Sequence, residues 1–120
     1  MSIDENKMYN YFDGSGNKYV LRIEGEIILE YVPIKPFQSS SGIYDGGDFI
    51  KKIITKLEYD EITSILEEAI QNEESHVENR VMMSGMIKIE GKSDTKICII
   101  RPNSEQKDKI EKKLHELIKN

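Results

Sequence analysis

Apolar residues recur at every third or fourth position between residues 59 and 70, which is typical of an amphipathic helix. The apolar positions are Tyr59, Ile62, Ile65, Leu66, Ala69 and Ile70. Thr55 and Glu58 have the spacing of a capping box, in which each side chain accepts a hydrogen bond from the other residue's backbone amide. The pattern predicts a helix that begins at Thr55 and ends at about Asn72, with one apolar and one acidic face.

A second helical pattern follows Pro102, with Asn103 or Ser104 as the N-cap. Its apolar positions are Ile110, Leu114, Leu117 and Ile118. Its polar face carries the lysines Lys107, Lys109, Lys112 and Lys113. Because the polar face of the first helix is acidic, we expect the two helices to lie side by side with complementary charge.

Between the two helices the pattern changes to the alternation of apolar and polar residues that is typical of strands. The alternating apolar positions are Val81, Met83, Ile87 and Ile89. Residues 90–94 supply turn residues, and residues 97–100 resume a β-rich sequence. This part of the chain predicts a hairpin of two long strands.

In the N-terminal half, a turn sequence at residues 13–17 separates a short Tyr-rich segment from residues 19–24, and Gly25 separates these from residues 27–32. The pieces predict a three-stranded meander that ends at Pro33. Gly25 could equally be a bulge in one continuous strand.

Together these elements predict an α+β fold, a two-layer sandwich with a mainly antiparallel sheet of about five strands and two amphipathic helices on one face. A chain of 120 residues is long enough for one core and too short for two ordinary ones. We therefore expect residues 1–120 to form a single domain.

Composition narrows the class of protein. Hydrophobic residues make up 38% of the chain and charged residues 32%, and no apolar stretch approaches the roughly 20 residues of a membrane span, so we expect a soluble protein without a membrane partner. The N-terminal residues show no targeting pattern and the chain has one cysteine, which fits a cytoplasmic, bacterial-type protein. A formal net charge of -5 argues against nucleic-acid binding.

Residues 38–48 form the most unusual stretch, and their Gly and Ser content predicts a long loop. The residues that could surround an anion, a small polar ligand or a partner are Ser39, Ser40, Ser41, Gly42, Tyr44, Asp45, Gly46 and Gly47. No Walker-type phosphate motif is present, and a flexible surface connection is the alternative interpretation.

The weak catalytic candidates are His76 and Arg80 together with a loop serine, Ser40 or Ser41. A histidine beside a guanidinium could transfer protons for a small hydrolase or transferase. No Gly-x-Ser-x-Gly elbow supports a nucleophile. The favoured interpretation is therefore an exposed or capping histidine, with Arg80 paired to Glu78. Enzymatic activity is therefore uncertain, with a non-enzymatic protein favoured.

No pattern indicates a metal or a cofactor. Cys98 lies among β-branched residues, which predicts a small buried hydrophobe and not a reactive thiol. His76, His115 and Cys98 lack zinc-like spacing, and His115 has no assigned role. Residues 13–24 imitate a calcium loop only in part, because Lys18 stands where that loop requires glycine.

The predicted strands are apolar on both sides, whereas two helices cover only one face of a small sheet. The other face must be covered by the N-terminal meander, by a second copy of the chain or by another protein. Met82, Met86, Cys98 and Ile100 are the predicted interface residues, and core packing is their alternative role. The first hypothesis is a non-enzymatic interaction protein that forms a homodimer, one version being an acidic inhibitor of immunity type.

Overall fold

The structure, a computed structural model, describes residues 7–33, 49–79, 81–91 and 95–119. These residues form a six-stranded sheet and two α-helices, which is the α+β fold that the sequence predicts. The strands are β1 (Met8–Phe12), β2 (Lys18–Glu24), β3 (Glu26–Val32), β4 (Ile50–Ile53), β5 (Gly85–Glu90) and β6 (Thr95–Ile100). The α-helices are α1 (Lys56–Gln71) and α2 (Glu105–Lys119), and a short 3-10 helix (Glu73–Ser75) follows α1.

The strand order in the sheet is β4-β3-β2-β1-β5-β6, and every neighbouring pair is antiparallel. Strand β1 lies inside the sheet, where Tyr9 is paired with Leu21 of β2 on one side and with Ile89 of β5 on the other. The N-terminal meander is therefore part of the sheet, and the alternative in which it covers the second face does not hold.

Short local contacts form the two N-terminal turns. The Asp13 carboxylate accepts hydrogen bonds from the backbone amides of Ser15 and Asn17, both at 2.9 Å, and from the Asn17 side chain at 3.0 Å. Gly25 has a φ of 77°, in the left-handed region that glycine adopts without strain, and Glu24 is paired with Glu26 across it. Gly25 is thus a hairpin turn and not a bulge.

Both helices begin where the sequence predicts. The Glu58 amide donates to the Thr55 hydroxyl at 3.1 Å, and the Thr55 amide donates to the Glu58 carboxylate at 2.9 Å, which completes the capping box. At the start of α2 the Ser104 hydroxyl accepts from the Lys107 amide at 3.3 Å. The capping predictions are confirmed, with Ser104 as the cap of α2.

The helices cover the sheet face toward which Tyr9 and Tyr11 point. The Tyr9 hydroxyl donates to Glu67 of α1 at 3.1 Å, and the Tyr11 hydroxyl donates to Glu111 of α2 at 2.7 Å. The core between the layers consists mainly of Leu21, Leu29, Ile62, Leu66, Ile87, Ile89, Ile100, Ile110 and Leu114. We call this side of the sheet the helix face and the opposite side the outer face.

Charged pairs join the two antiparallel helices. Glu68 of α1 accepts hydrogen bonds from Gln106 and from Lys109 of α2, both at 3.0 Å, and Glu61 accepts from Lys113 at 3.2 Å. The hydrogen bond from Gln106, followed by the contact with Lys109, lowers the pKa of the Glu68 carboxyl. The predicted charge complementarity of the helices is confirmed.

Two sequence-based expectations about strands need correction. Strand β4 is a sixth strand that the sequence pattern did not predict. Strand β5 begins at Gly85, so Val81 and Met83 lie outside it: Met83 has a left-handed φ of 66°, and Ser84 closes a turn by donating from its amide to the Val81 carbonyl at 3.1 Å. The predicted hairpin is present, with a shorter first strand.

The length and polarity of the helices show whether either could cross a membrane. In the four described ranges, α1 and α2 are the α-helices, and neither is long and apolar enough to cross a bilayer.

Candidate functional site

The predicted interface residues Cys98 and Ile100 lie on the helix face. Cys98 is paired with Ile87 and Ile100 with Gly85, and both side chains are buried in the core. The alternation of β6 is as the sequence predicts, but the surface side chains of this strand are those of Ile97 and Ile99. Cys98 and Ile100 are therefore core residues in this chain, which is the alternative role that the sequence left open for them.

The outer face carries an apolar row across three strands. Phe12 of β1 is the cross-strand partner of Met86 of β5, and Met86 is the partner of Ile99 of β6. Ile97 lies two residues from Ile99 on the same side of β6 and is 60% exposed. Met86, one of the predicted interface residues, thus lies at the centre of this row.

The turn that precedes β5 adds three exposed apolar side chains, Val81, Met82 and Met83. Met82 is 88% exposed and belongs to this turn, not to a strand. The turn packs against the β1–β2 turn, since a Cβ atom on Gly14 would lie 2.9 Å from the Met83 carbonyl oxygen. We define the Met86 surface as Phe12, Val81, Met82, Met83, Met86, Ile97 and Ile99.

Two charged groups beside the Met86 surface, those of Lys88 and Lys18, have partners within the described residues. Lys88, the cross-strand neighbour of Ile97, lies 3.4 Å from the Glu90 carboxylate. The Lys18 ammonium lies 5.6 Å from the centre of the Phe12 ring, in a cation–π geometry. The surface is therefore apolar at its centre, with paired charge at its border.

The opposite margin of the outer face exposes Val32, Phe49 and Ile53. Ile53 is 60% exposed, the same fraction as Ile97, and lies on the edge strand β4. Lys51 stands between Phe49 and Ile53 on the same side of the chain, so this margin is interrupted by charge. This margin is less continuous than the Met86 surface.

His76 has a structural contact. Its Nε2 atom lies 2.7 Å from the Ala69 carbonyl oxygen, so the tautomer with a proton on Nε2 donates to it. Ala69 is in the last turn of α1, where carbonyl groups need partners from outside the helix. His76 is thus the capping histidine that the sequence favours.

Several predicted site residues lie outside the described residues. They are Ser39, Ser40, Ser41, Gly42, Tyr44, Asp45, Gly46, Gly47 and Arg80. The partner of His76 in the catalytic hypothesis and the proposed ligand loop therefore stay predictions.

A cleft of about 500 Å³ lies beside β6, and its lining includes Ile70, His76, Val77, Lys96 and Cys98. Cys98 is a free thiol, and burial raises its pKa from 9.0 to about 11. Because the thiolate is the nucleophile, this shift lowers the reactivity of Cys98 at neutral pH, in the direction that the sequence predicts.

We expect the folded protein to react with a disulfide reagent at least about tenfold more slowly than the unfolded chain below pH 9. A pKa that rises from 9.0 to about 11 lowers the thiolate fraction about a hundredfold, whereas the higher pKa makes the remaining thiolate a stronger nucleophile. The rate should rise with pH and show no plateau up to about pH 10. Stopped-flow absorbance measures it, with the protein unfolded in guanidinium chloride as the control. A plateau near the ordinary thiol pKa would contradict the burial of Cys98.

A second cleft, of about 230 Å³, lies on the helix face between α2 and strands β2 and β3. We call it the tyrosine cleft; its described lining includes Tyr19, Tyr31, His115, Ile118 and Lys119. Sequence reasoning assigned His115 no role and did not find this cleft. Its residues come from three separate parts of the chain, and only the cross-strand pairing of Tyr19 with Tyr31 brings the two tyrosines together.

Among the residues that the structure describes, no three His, Cys, Asp or Glu side chains are arranged to hold a metal ion. No protein-family model, curated protein or solved structure matches the chain. A functional proposal therefore depends on the Met86 surface and on the clefts.

Proposed function

We propose that this protein is a non-enzymatic interaction module that self-associates through the Met86 surface. The observation that carries the proposal is the exposure of apolar side chains on β6 and in the turn before β5, with Ile97 at 60% and Met82 at 88%. Single exposed apolar residues are common on monomers, whereas a contiguous group indicates an interaction site. Methionine suits such a site because its flexible side chain adapts to a partner.

A second copy of the chain is the partner that this surface fits best. A two-fold interface places the same patch on both copies, so the patch must be compatible with itself. The row of Phe12, Met86 and Ile99 is apolar, and the neighbouring Lys88 is paired with Glu90 of its own chain. Among the described residues, this row and the neighbouring Lys88 therefore bring no unpaired charge into such a contact.

Contact between faces fits the structure better than pairing of the β6 edges. The Ile99 carbonyl at this edge already accepts from the Val77 amide at 3.0 Å. Backbone groups alternate along a strand, so the edge groups that remain are those of Thr95 and Ile97. Symmetric pairing through these residues would place Lys96 opposite Lys96 of the second copy, which is repulsive.

The substitution Ile97→Lys tests this proposal. We expect the wild-type chain to form a dimer, and we expect the variant to weaken dimerisation by about a hundredfold or more, because each dimer buries two copies of this side chain. Light scattering on a sizing column and sedimentation equilibrium, both over a wide dilution range, measure the molar mass.

The matched control is Ile53→Lys, which changes a residue of the same type and the same 60% exposure on the other edge strand of the outer face. This control should dimerise like the wild type. A wild-type chain that is monomeric at every concentration overturns the proposal. Equal loss of the dimer in both variants would show that the interface does not lie specifically on the Met86 surface.

Two other versions of the function have less support. An inhibitor that presents the acidic side of α1 to a basic partner would use Glu61 and Glu68, and both are paired with lysines of α2. A hydrolase or transferase would use His76, whose Nε2 is bonded to the Ala69 carbonyl. A cytoplasmic location belongs to the proposal, since the free thiol of Cys98 suits a reducing compartment.

A further inference from the structure

The tyrosine cleft lies on the helix face, whereas the strand residues of the Met86 surface lie on the outer face. We propose that this cleft binds a small ligand that consists of one aromatic ring and a carboxylate. The inference goes beyond self-association and does not depend on it. It follows from the aromatic walls, the size and the charge of the cleft.

The walls are aromatic on two sides. Tyr19 of β2 and Tyr31 of β3 are cross-strand partners, and their ring centres are 4.9 Å apart. The His115 ring of α2 lies 6.3 Å from Tyr19. Tyr19 is buried and also contacts Tyr11, with ring centres 6.4 Å apart, so this wall is held by packing. Aromatic rings pack favourably against such walls in offset and edge-to-face arrangements.

The cleft has room for a single ring. Its volume is about 230 Å³. An engineered apolar cavity of about 150 Å³ is known to hold benzene, so the tyrosine cleft has room for one ring and a small substituent. Ordinary sites for larger ligands start at about 300 Å³.

The described lining carries one positively charged side chain. Lys119 lies in the lining, and in the described part of the chain it has no salt bridge. Lys52 of β4 donates to the Leu117 carbonyl at 2.8 Å, which offsets the negative end of α2. Lys113 on the same helix is already paired with Glu61 at 3.2 Å and lies 4.0 Å from Glu116. An anionic group on the ligand can therefore pair with the Lys119 ammonium.

This charge separates a carboxylate from other occupants of an aromatic cleft. Aromatic walls also bind organic cations through cation–π contacts. Here Lys119 in the lining would repel a cation. An uncharged ring would use the walls but would gain nothing from the ammonium group. The carboxylate uses both features.

The experiment is an NMR titration of the full chain with benzoate, with the uncharged and nearly isosteric benzamide as the comparison ligand. We expect benzoate to shift the signals of Tyr31, His115 and Lys119 selectively. Lys119→Met should weaken benzoate binding by about fivefold, and Tyr31→Leu by about tenfold. Lys112→Met, which changes another exposed lysine of α2 outside the cleft, should leave binding unchanged.

Three results would overturn the proposal: benzamide binding as tightly as benzoate, Lys119→Met binding as tightly as the wild type, or signal shifts away from the cleft. Tyr31 is half-buried, so circular dichroism must show that its variant is folded. If it is not, the exposed Lys119 variant decides the question. Ile97→Lys should bind benzoate like the wild type, which separates this site from the Met86 surface.

Discussion

Replacing Leu66 with alanine should lower the free energy of unfolding by about 2–5 kcal/mol. Leu66 is 1% exposed and lies in the core between α1 and the sheet. The substitution loses the favourable free energy of burying the removed groups. It also leaves a cavity that the packed core fills only in part. Chemical unfolding in urea, followed by circular dichroism, measures the change.

Leu57 provides the matched control for this substitution. It lies in the same helix and is 71% exposed, so its replacement with alanine should change the free energy of unfolding by less than about 0.5 kcal/mol. All variants should be compared at one protein concentration, because self-association would add to the apparent stability. A cost at Leu57 equal to that at Leu66 would mean that α1 packs through a different face.

Replacing Gly85 with alanine should cost about 1–3 kcal/mol through overpacking. An added Cβ atom would lie 2.5 Å from the Tyr11 hydroxyl oxygen and 3.1 Å from its Cζ atom. Tyr11 cannot move away easily, because its ring is buried and its hydroxyl donates to Glu111 at 2.7 Å. Unfolding in urea again provides the measurement.

A double-mutant cycle with Tyr11→Phe makes this prediction sharper. The single change Tyr11→Phe should cost about 0.5–1.5 kcal/mol for the lost hydrogen bond. Glu111 keeps Lys107, at 2.9 Å, as its partner. Because the closest contact of the new Cβ atom is then gone, Gly85→Ala should cost at least about 0.5 kcal/mol less in the phenylalanine background. Strict additivity would show that the steric conflict lies elsewhere.

The features that the sequence predicted correctly are those that depend on neighbouring residues. The capping box of Thr55 and Glu58 joins positions three residues apart, and the apolar positions of α1 repeat with the period of a helix. The turn at Asp13 is likewise closed by bonds within five residues. No knowledge of the tertiary structure is needed for these contacts.

The strand errors have local causes that the pattern does not reveal. Strand β4 reads Ile-Lys-Lys-Ile, which does not alternate, and it forms because β3 offers hydrogen-bonding partners. The end of the predicted strand at Val81 and Met83 is a turn because Met83 adopts a left-handed conformation, which methionine rarely does. Propensity alone favours an extended chain at that position.

The candidate sites were only partly predictable, because they depend on long-range pairing. Ile97 and Cys98 alternate on β6, but both are apolar, and only the position of the helices decides which one is buried. The tyrosine cleft requires the pairing of β2 with β3 and the placement of α2 over both. Met86 lies on the outer face with intermediate burial, and its role in an interface stays a prediction.

The position of β1 in the middle of the sheet has a consequence for how the chain reaches its native state. Tyr9 needs Leu21, which is near in sequence, and also Ile89, which is 80 residues away. Pairings between residues this distant slow folding, because the entropy cost of closing a long loop comes before the stabilising contacts form. During synthesis, we expect the edge of β1 that later pairs with β5 to stay unpaired until β5 and β6 have formed. In that interval the exposed edge can aggregate unless chaperones bind it or folding is fast.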